Sequence, residues 1–154
     1  MINATGIPLL SRAQLTRHIR RHADREFYDE SGELPVGTAI YALVDPRDIR
    51  NVRYVGQTKN PRRRLLQHIA AAQLWLPDDR PWFEKAPKLR PLYDWVRDLY
   101  RDEMRLPTMV VSRWVAAPTA ARIAERARIY ECLSRRMPLL NVEIETLGAQ
   151  RPLI

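Results

Sequence analysis

The chain has 154 residues, 45% of them hydrophobic and 29% charged, with a net charge of +8 and an isoelectric point near 10.2. That length argues for one compact domain with a real core and against two, and the charge points to an anionic partner. Arginine supplies most of the positive charge, and its planar fork suits phosphate oxygens, so nucleic acid is a better candidate than a membrane surface. Cys132 is the single cysteine, which excludes an internal disulfide and a cysteine zinc site and fits a reducing compartment. The first ten residues lack a signal-peptide pattern, and no apolar run approaches the ~20 residues a membrane helix needs. A cytoplasmic protein with no membrane segment is expected.

Taken in order, Ser11 caps a predicted helix running to about Tyr28, with Leu15, Ile19, Ala23 and Phe27 recurring every fourth residue. Arg17, Arg20, Arg21 and Arg25 crowd its other faces. Residues 1–35 therefore read as a basic N-terminal helical extension, in which Arg17 and Arg21 are candidate nucleic-acid contacts or, alternatively, solvated arginines on a docked helix. His18 and His22 have the i, i+4 spacing of metal ligands, but without a third ligand nearby in sequence the spacing is read as coincidence. The polar stretch DESGELP (29–35) is a turn.

The β-branched and aromatic run from Thr38 to Val44 predicts a strand stopped by Asp45-Pro46, and Val52–Val55 predicts a second strand. The charged loop between them suits an antiparallel pair that sets Tyr41 and Tyr54 on neighbouring strands. Gly56 permits a turn, and Asn60-Pro61 reads as a helix cap followed by a first-turn proline. On that helix Arg64 and His68 lie one turn apart, expected on an open face opposite Leu65, Ile69 and Ala72. Next comes a proline- and tryptophan-rich segment, LWLPDDRPWFEKAPKLR, read as an ordered loop. Its Trp75, Trp82 and Phe83 either stack on unpaired bases or bury themselves in the core.

Pro91 opens a helix with a Leu92, Trp95, Val96, Leu99 core stripe, and Pro107 ends it. Thr108–Val115 predicts a third strand, and Pro118-Thr119 starts a last helix to about Met137, stopped by Pro138. The order helix, strand, strand, helix, helix, strand, helix predicts an α+β fold: a small, mainly antiparallel three-stranded sheet flanked by helices, with the extra N-terminal helix.

Five short features stand at a telling spacing: Ala39-Ile40-Tyr41, Tyr54-Val55-Gly56, Arg64 ten residues after Tyr54, His68 fourteen after it, and a downstream helix and turn carrying Glu125, Ile129 and Asn141. Over roughly residues 37–142 this pattern resembles the GIY-YIG nuclease family, with Ala39 standing where the family usually has glycine. The resemblance implies a nuclease domain over residues 36–147, followed by a tail at 148–154. It implies a metal-dependent DNA endonuclease in which Tyr41 and Tyr54 line the site, one of them near the attacking water, and Glu125 holds one Mg²⁺ or Mn²⁺.

The chemistry needed to cut a phosphodiester matches those residue types. The charge of the phosphate must be neutralised, a water activated and the leaving oxygen helped away. Arg64 is suited to the extra charge of the transition state, His68 to ordering the water or passing on its proton, and Glu125 to a magnesium that keeps waters and borrows phosphate oxygens. A phenol serves as a base only if cations such as Arg64 lower its pKa. Lys59, Arg62 and Arg63 flank the helix as backbone contacts, while Gly56 and Asn141 are structural. Two other readings stand beside this one: a GIY-YIG-fold module that grips nucleic acid without cutting, and a basic adaptor that docks a protein. RNA as substrate, a homodimer and a targeting partner are all compatible with the sequence.

Overall fold

A computed structural model of the chain describes residues 11–76 and 90–141. Its elements are α1 (Arg12–Arg25), β1 (Phe27–Asp29), β2 (Thr38–Asp45), β3 (Asp48–Thr58), α2 (Pro61–Ala71), α3 (Arg90–Glu103), β4 (Thr108–Val115) and α4 (Pro118–Ser134). The class is α+β, but the sheet has four strands in the order β1-β4-β2-β3 and is mixed, since β1 runs parallel to β4. This corrects the expected three-stranded, mainly antiparallel sheet. Helix α1 stops at Arg25 and does not reach Tyr28, because Phe27–Asp29 pairs with Met109–Val111. The last helix likewise stops short of Met137, at Ser134.

Local chemistry accounts for the helix starts. Ser11 and Gln14 form a reciprocal capping box on α1, and the Asn60 side chain accepts from the Arg63 N–H ahead of Pro61 on α2. Strand β2 is buried along its whole length because helices cover both faces. Ala39, Tyr41 and Leu43 pack against Leu15 and Ile19 of α1, Leu65 and Ile69 of α2, and Leu92 and Val96 of α3. Ile40, Ala42 and Val44 pack on the other side against Ala121, Ile129 and Cys132 of α4. Helix α1 is thus a layer of the same core as the strands.

The β2–β3 hairpin is tighter than the sequence suggested, with Asp45 paired to Asp48 and only Pro46-Arg47 between them. The free edge of β3 is closed by the chain after α4. Asn141 accepts from the Val55 N–H at 3.0 Å and donates to the Val55 carbonyl at 2.7 Å, while the Leu140 N–H reaches the Arg53 carbonyl at 2.6 Å. Asn141 acts as one residue of a missing strand, which is the structural role expected of it.

A buried arginine fixes the far end of α2. Arg97, 6% exposed, donates to the carbonyls of Ala72, Gln73 and Leu76 at 3.1, 2.7 and 2.7 Å, pinning the C-cap of α2 and the turn that follows it. Arg97→Met keeps the apolar stem and loses all three bonds. It is expected to cost about 3 kcal/mol, seen as a melting temperature lower by about 10 °C. An unchanged melting temperature would mean that water replaces the guanidinium there.

Candidate active site

Strand register sets the first two groups. Tyr41 faces Gly56 across the hairpin and Leu43 faces Tyr54, so the two tyrosines sit diagonally on one face of the sheet with ring centroids 6.3 Å apart. Helix α2 crosses that face and brings His68 to both, 5.8 Å from the Tyr41 ring and 5.2 Å from the Tyr54 ring, edge-on in each case. The Tyr41 hydroxyl lies 2.7 Å from His68 Nε2. Arg64, one turn earlier on α2, sets its guanidinium beside the phenols of both Tyr41 and Tyr54, near enough for its charge to act on each, and donates to the Gln67 side chain at 3.4 Å. Glu125, from α4, is near enough for its charge to act on Tyr41, and Tyr93, from α3, feels the charge of Arg64.

Donor and acceptor roles follow from chemistry. A guanidinium beside the Tyr41 oxygen favours lone pairs turned towards it, so the Tyr41 proton is assigned to the bond with His68 Nε2. His68 is then the neutral tautomer with its hydrogen on Nδ1. Its surroundings enforce this: burial first, and then the Arg64 charge, bring its pKa down from 6.5 to about 3. The Tyr41 phenol is driven the opposite way, well above its ordinary value. Burial is the main cause and the neighbouring Tyr54 the next, with Arg64 offsetting only part.

Two expectations are corrected here. His68 is not on an open face: it is 3% exposed, because Leu65, His68, Ile69 and Ala72 form an i, i+3, i+4, i+7 buried stripe. Arg64 does not make Tyr41 acidic, because Tyr41 is 1% exposed and desolvation of the phenolate outweighs one cation. The half-buried Tyr54 is the phenol of the pair with access to solvent.

Room for this arrangement depends on Gly56. A Cβ there would stand 2.5 Å from the Tyr41 hydroxyl oxygen and 2.6 Å from Cζ, so the ring lies directly over the glycine backbone. Sequence reading assigned Gly56 to a turn; in the structure it is a strand residue flattened to receive a phenol.

The outlying candidates separate into engaged and open groups. Arg62 is bonded to Asp24 and ties α2 to α1, so it is not a free phosphate contact. Lys59, Arg63, Arg17 and Arg21 are exposed. His22 donates from Nε2 to the Pro107 carbonyl at 2.6 Å and His18 packs on Tyr100, so neither is set up as a ligand. Glu131 pairs with Arg128 at 3.1 Å and Arg135 at 3.2 Å, the ion-pair row its spacing predicts. Trp75 is half-buried, while Trp82 and Phe83 lie outside the described residues. Tyr93 was not singled out by sequence, since it falls beside the α3 core stripe and carries no motif.

Among the described residues no three His, Cys, Asp or Glu side chains group to hold a metal. The donor chemistry of Glu125, one carboxylate whose charge reaches the Tyr41 phenol, suits a hard cation completed by water and phosphate oxygens and does not suit zinc. No described helix is long and apolar enough to cross a membrane.

The buried imidazole makes stability depend on pH. Because the folded pKa of His68 lies below the unfolded value, the unfolded chain binds the extra proton, and stability present above about pH 6.5 is lost as pH falls towards 3. His22, also lowered by burial, acts with the same sign. Urea unfolding between pH 7 and 4.5 is expected to show a loss approaching ~1.4 kcal/mol per pH unit from His68, and His68→Gln should remove that share of the slope. An identical slope in the variant would mean that His68 is not held neutral.

Comparison with protein-family models, with curated proteins and with solved structures found no match in any of the three.

Proposed function

We propose that the protein is a metal-dependent DNA endonuclease of GIY-YIG type that hydrolyses phosphodiester bonds at the Tyr41, Tyr54, Arg64, His68 and Glu125 cluster. The observation that carries the reading is Arg64: one guanidinium lies beside two phenols, one of them bonded to a neutral histidine and within reach of the Glu125 charge. A plain core tyrosine pair has no need of an arginine, and burying one among them is costly unless its charge is used.

In this reading Arg64 holds the scissile phosphate and stabilises the charge that builds on it. Tyr54, the solvent-accessible phenol, orients the attacking water. Tyr41 and His68 act behind them: the chain from Arg64 through Tyr41 to Nε2 fixes the guanidinium plane and gives the Tyr41 proton an acceptor. Glu125 would hold Mg²⁺ or Mn²⁺, which supplies Lewis-acid help to the leaving oxygen. Lys59, Arg63, Arg17 and Arg21 would contact the DNA backbone without reading sequence. The retention of all five side chains, with Tyr41, Tyr54 and His68 in contact and the charges of Arg64 and Glu125 acting on Tyr41, favours an enzyme over a binding module that has lost its chemistry. Supercoiled plasmid should be nicked with Mg²⁺ and left intact with EDTA; binding without nicking in Mg²⁺ would select the binding module instead.

A further inference from the structure

On the side of α2 turned away from Arg64, a cleft of about 280 Å³ opens between α1 and α2. Its floor is apolar, from Leu15, Ile19, Leu66 and Ala70, and its wall is Trp75. The Arg12 guanidinium carbon lies over the Trp75 ring, 4.7 Å from its centroid, and Arg20, two turns along α1, also lines the cleft. Neither arginine forms an ion pair with a described residue. The Thr16 hydroxyl is spent on the Arg12 carbonyl at 2.8 Å, so the cationic donors left to a ligand are Arg12 and Arg20, beside the Trp75 indole N–H.

We propose that this cleft receives a single unpaired nucleobase, packed on the apolar floor against the Trp75–Arg12 pair, with its flanking phosphates held by Arg12 and Arg20. The volume sits at the small end of the ~300–1,000 Å³ range of ligand pockets, which suits one flat ring system. Aromatic rings and guanidinium planes are the surfaces on which extruded bases stack, and an arginine already laid on tryptophan keeps its outer N–H groups for phosphate. The inference rests on the nucleic-acid partner of the proposed function but not on cleavage. It gives the protein a preference for a distorted or unpaired position in an otherwise sequence-neutral grip.

The test is a fluorescence titration in EDTA with a short duplex carrying one unpaired 2-aminopurine, against the same duplex fully paired. The unpaired base should be quenched on binding and its duplex held about tenfold more tightly. Trp75→Leu should abolish the quench, and Arg20→Glu, at an exposed position that leaves the core intact, should erase the preference. Equal binding of the two duplexes, or a quench unchanged in both variants, would overturn the proposal. So would laurate binding that Arg20→Glu removes while the oligonucleotides compete with none of it, which would assign the cleft to an amphipathic carboxylate. Nicking of plasmid without any quench sinks this cleft alone; a Trp75-dependent quench without nicking supports it and sinks only the cleavage reading.

Discussion

Arg64→Lys is expected to slow plasmid cleavage by about a hundredfold or more while leaving DNA affinity nearly unchanged. The side chain it replaces stands beside two phenols at once, and it does so from a position that is only partly exposed. A planar fork can bond Tyr41 and Tyr54 and still present an edge to a phosphate; an ammonium is a single strongly hydrated point and cannot hold all of these together. The overall charge of the protein is unaltered, so long-range attraction to DNA survives. The loss therefore falls on the transition state, and it should appear in single-turnover rate and not in binding measured with EDTA. Equal losses in both would reduce Arg64 to an ordinary backbone contact.

Gly56→Ala, the smallest possible change, is expected to be almost as damaging. The added methyl would occupy space 2.5 Å from the Tyr41 oxygen and 3.0 Å from Cε1, well inside contact distance. Elsewhere a flexible side chain would swing aside. Here the ring is buried and bonded to His68, so it can yield only by breaking that bond and disturbing the packing around it. Overpacking of this kind costs about 1–3 kcal/mol in stability, and displacement of Tyr41 should take cleavage down by about a hundredfold or more. Gly56→Ala combined with Tyr41→Leu should regain stability relative to the single glycine variant, because the clash is gone, yet remain inactive. A Gly56→Ala protein as stable and as active as the parent would mean that Tyr41 need not lie where it does.

The parts legible in the sequence were those set by local pattern. Strands β2 and β4 announce themselves by β-branched runs, and α2 by Asn60-Pro61, because these signals act within a few residues. Strand β1 was not legible: Phe27 continues the every-fourth-residue line of α1, and only pairing with Met109, far along the chain, decides against another helical turn. The same holds for the site. Spacing was enough to gather Tyr41, Tyr54, Arg64 and His68, but whether His68 meets water depends on which α2 face the sheet covers. The Leu65, His68, Ile69, Ala72 stripe carries that information, but His68 is equally one turn from the polar Arg64, so spacing alone fits either face. The direction of the Tyr41 shift was beyond reach, since desolvation by three helices on one face cannot be weighed from sequence. The Arg62–Asp24 pair and the Arg97 cap likewise exist only once the helices are packed.

The most direct measurement compares Glu125→Ala with Glu131→Ala in Mg²⁺-dependent nicking of supercoiled plasmid. Both residues are on α4, but Glu131 is exposed and paired with Arg128 and Arg135, while Glu125 lies in line with buried Ala121 and Ile129 and acts on Tyr41. Losing the Glu131 pairs is worth only a few tenths of a kcal/mol. Glu131→Ala should nick at the parental rate and Glu125→Ala not at all, with both variants folded and both binding DNA in EDTA as the parent does. Parental nicking by Glu125→Ala, or loss of nicking in Glu131→Ala alone, would contradict a metal-assisted cut at this cluster.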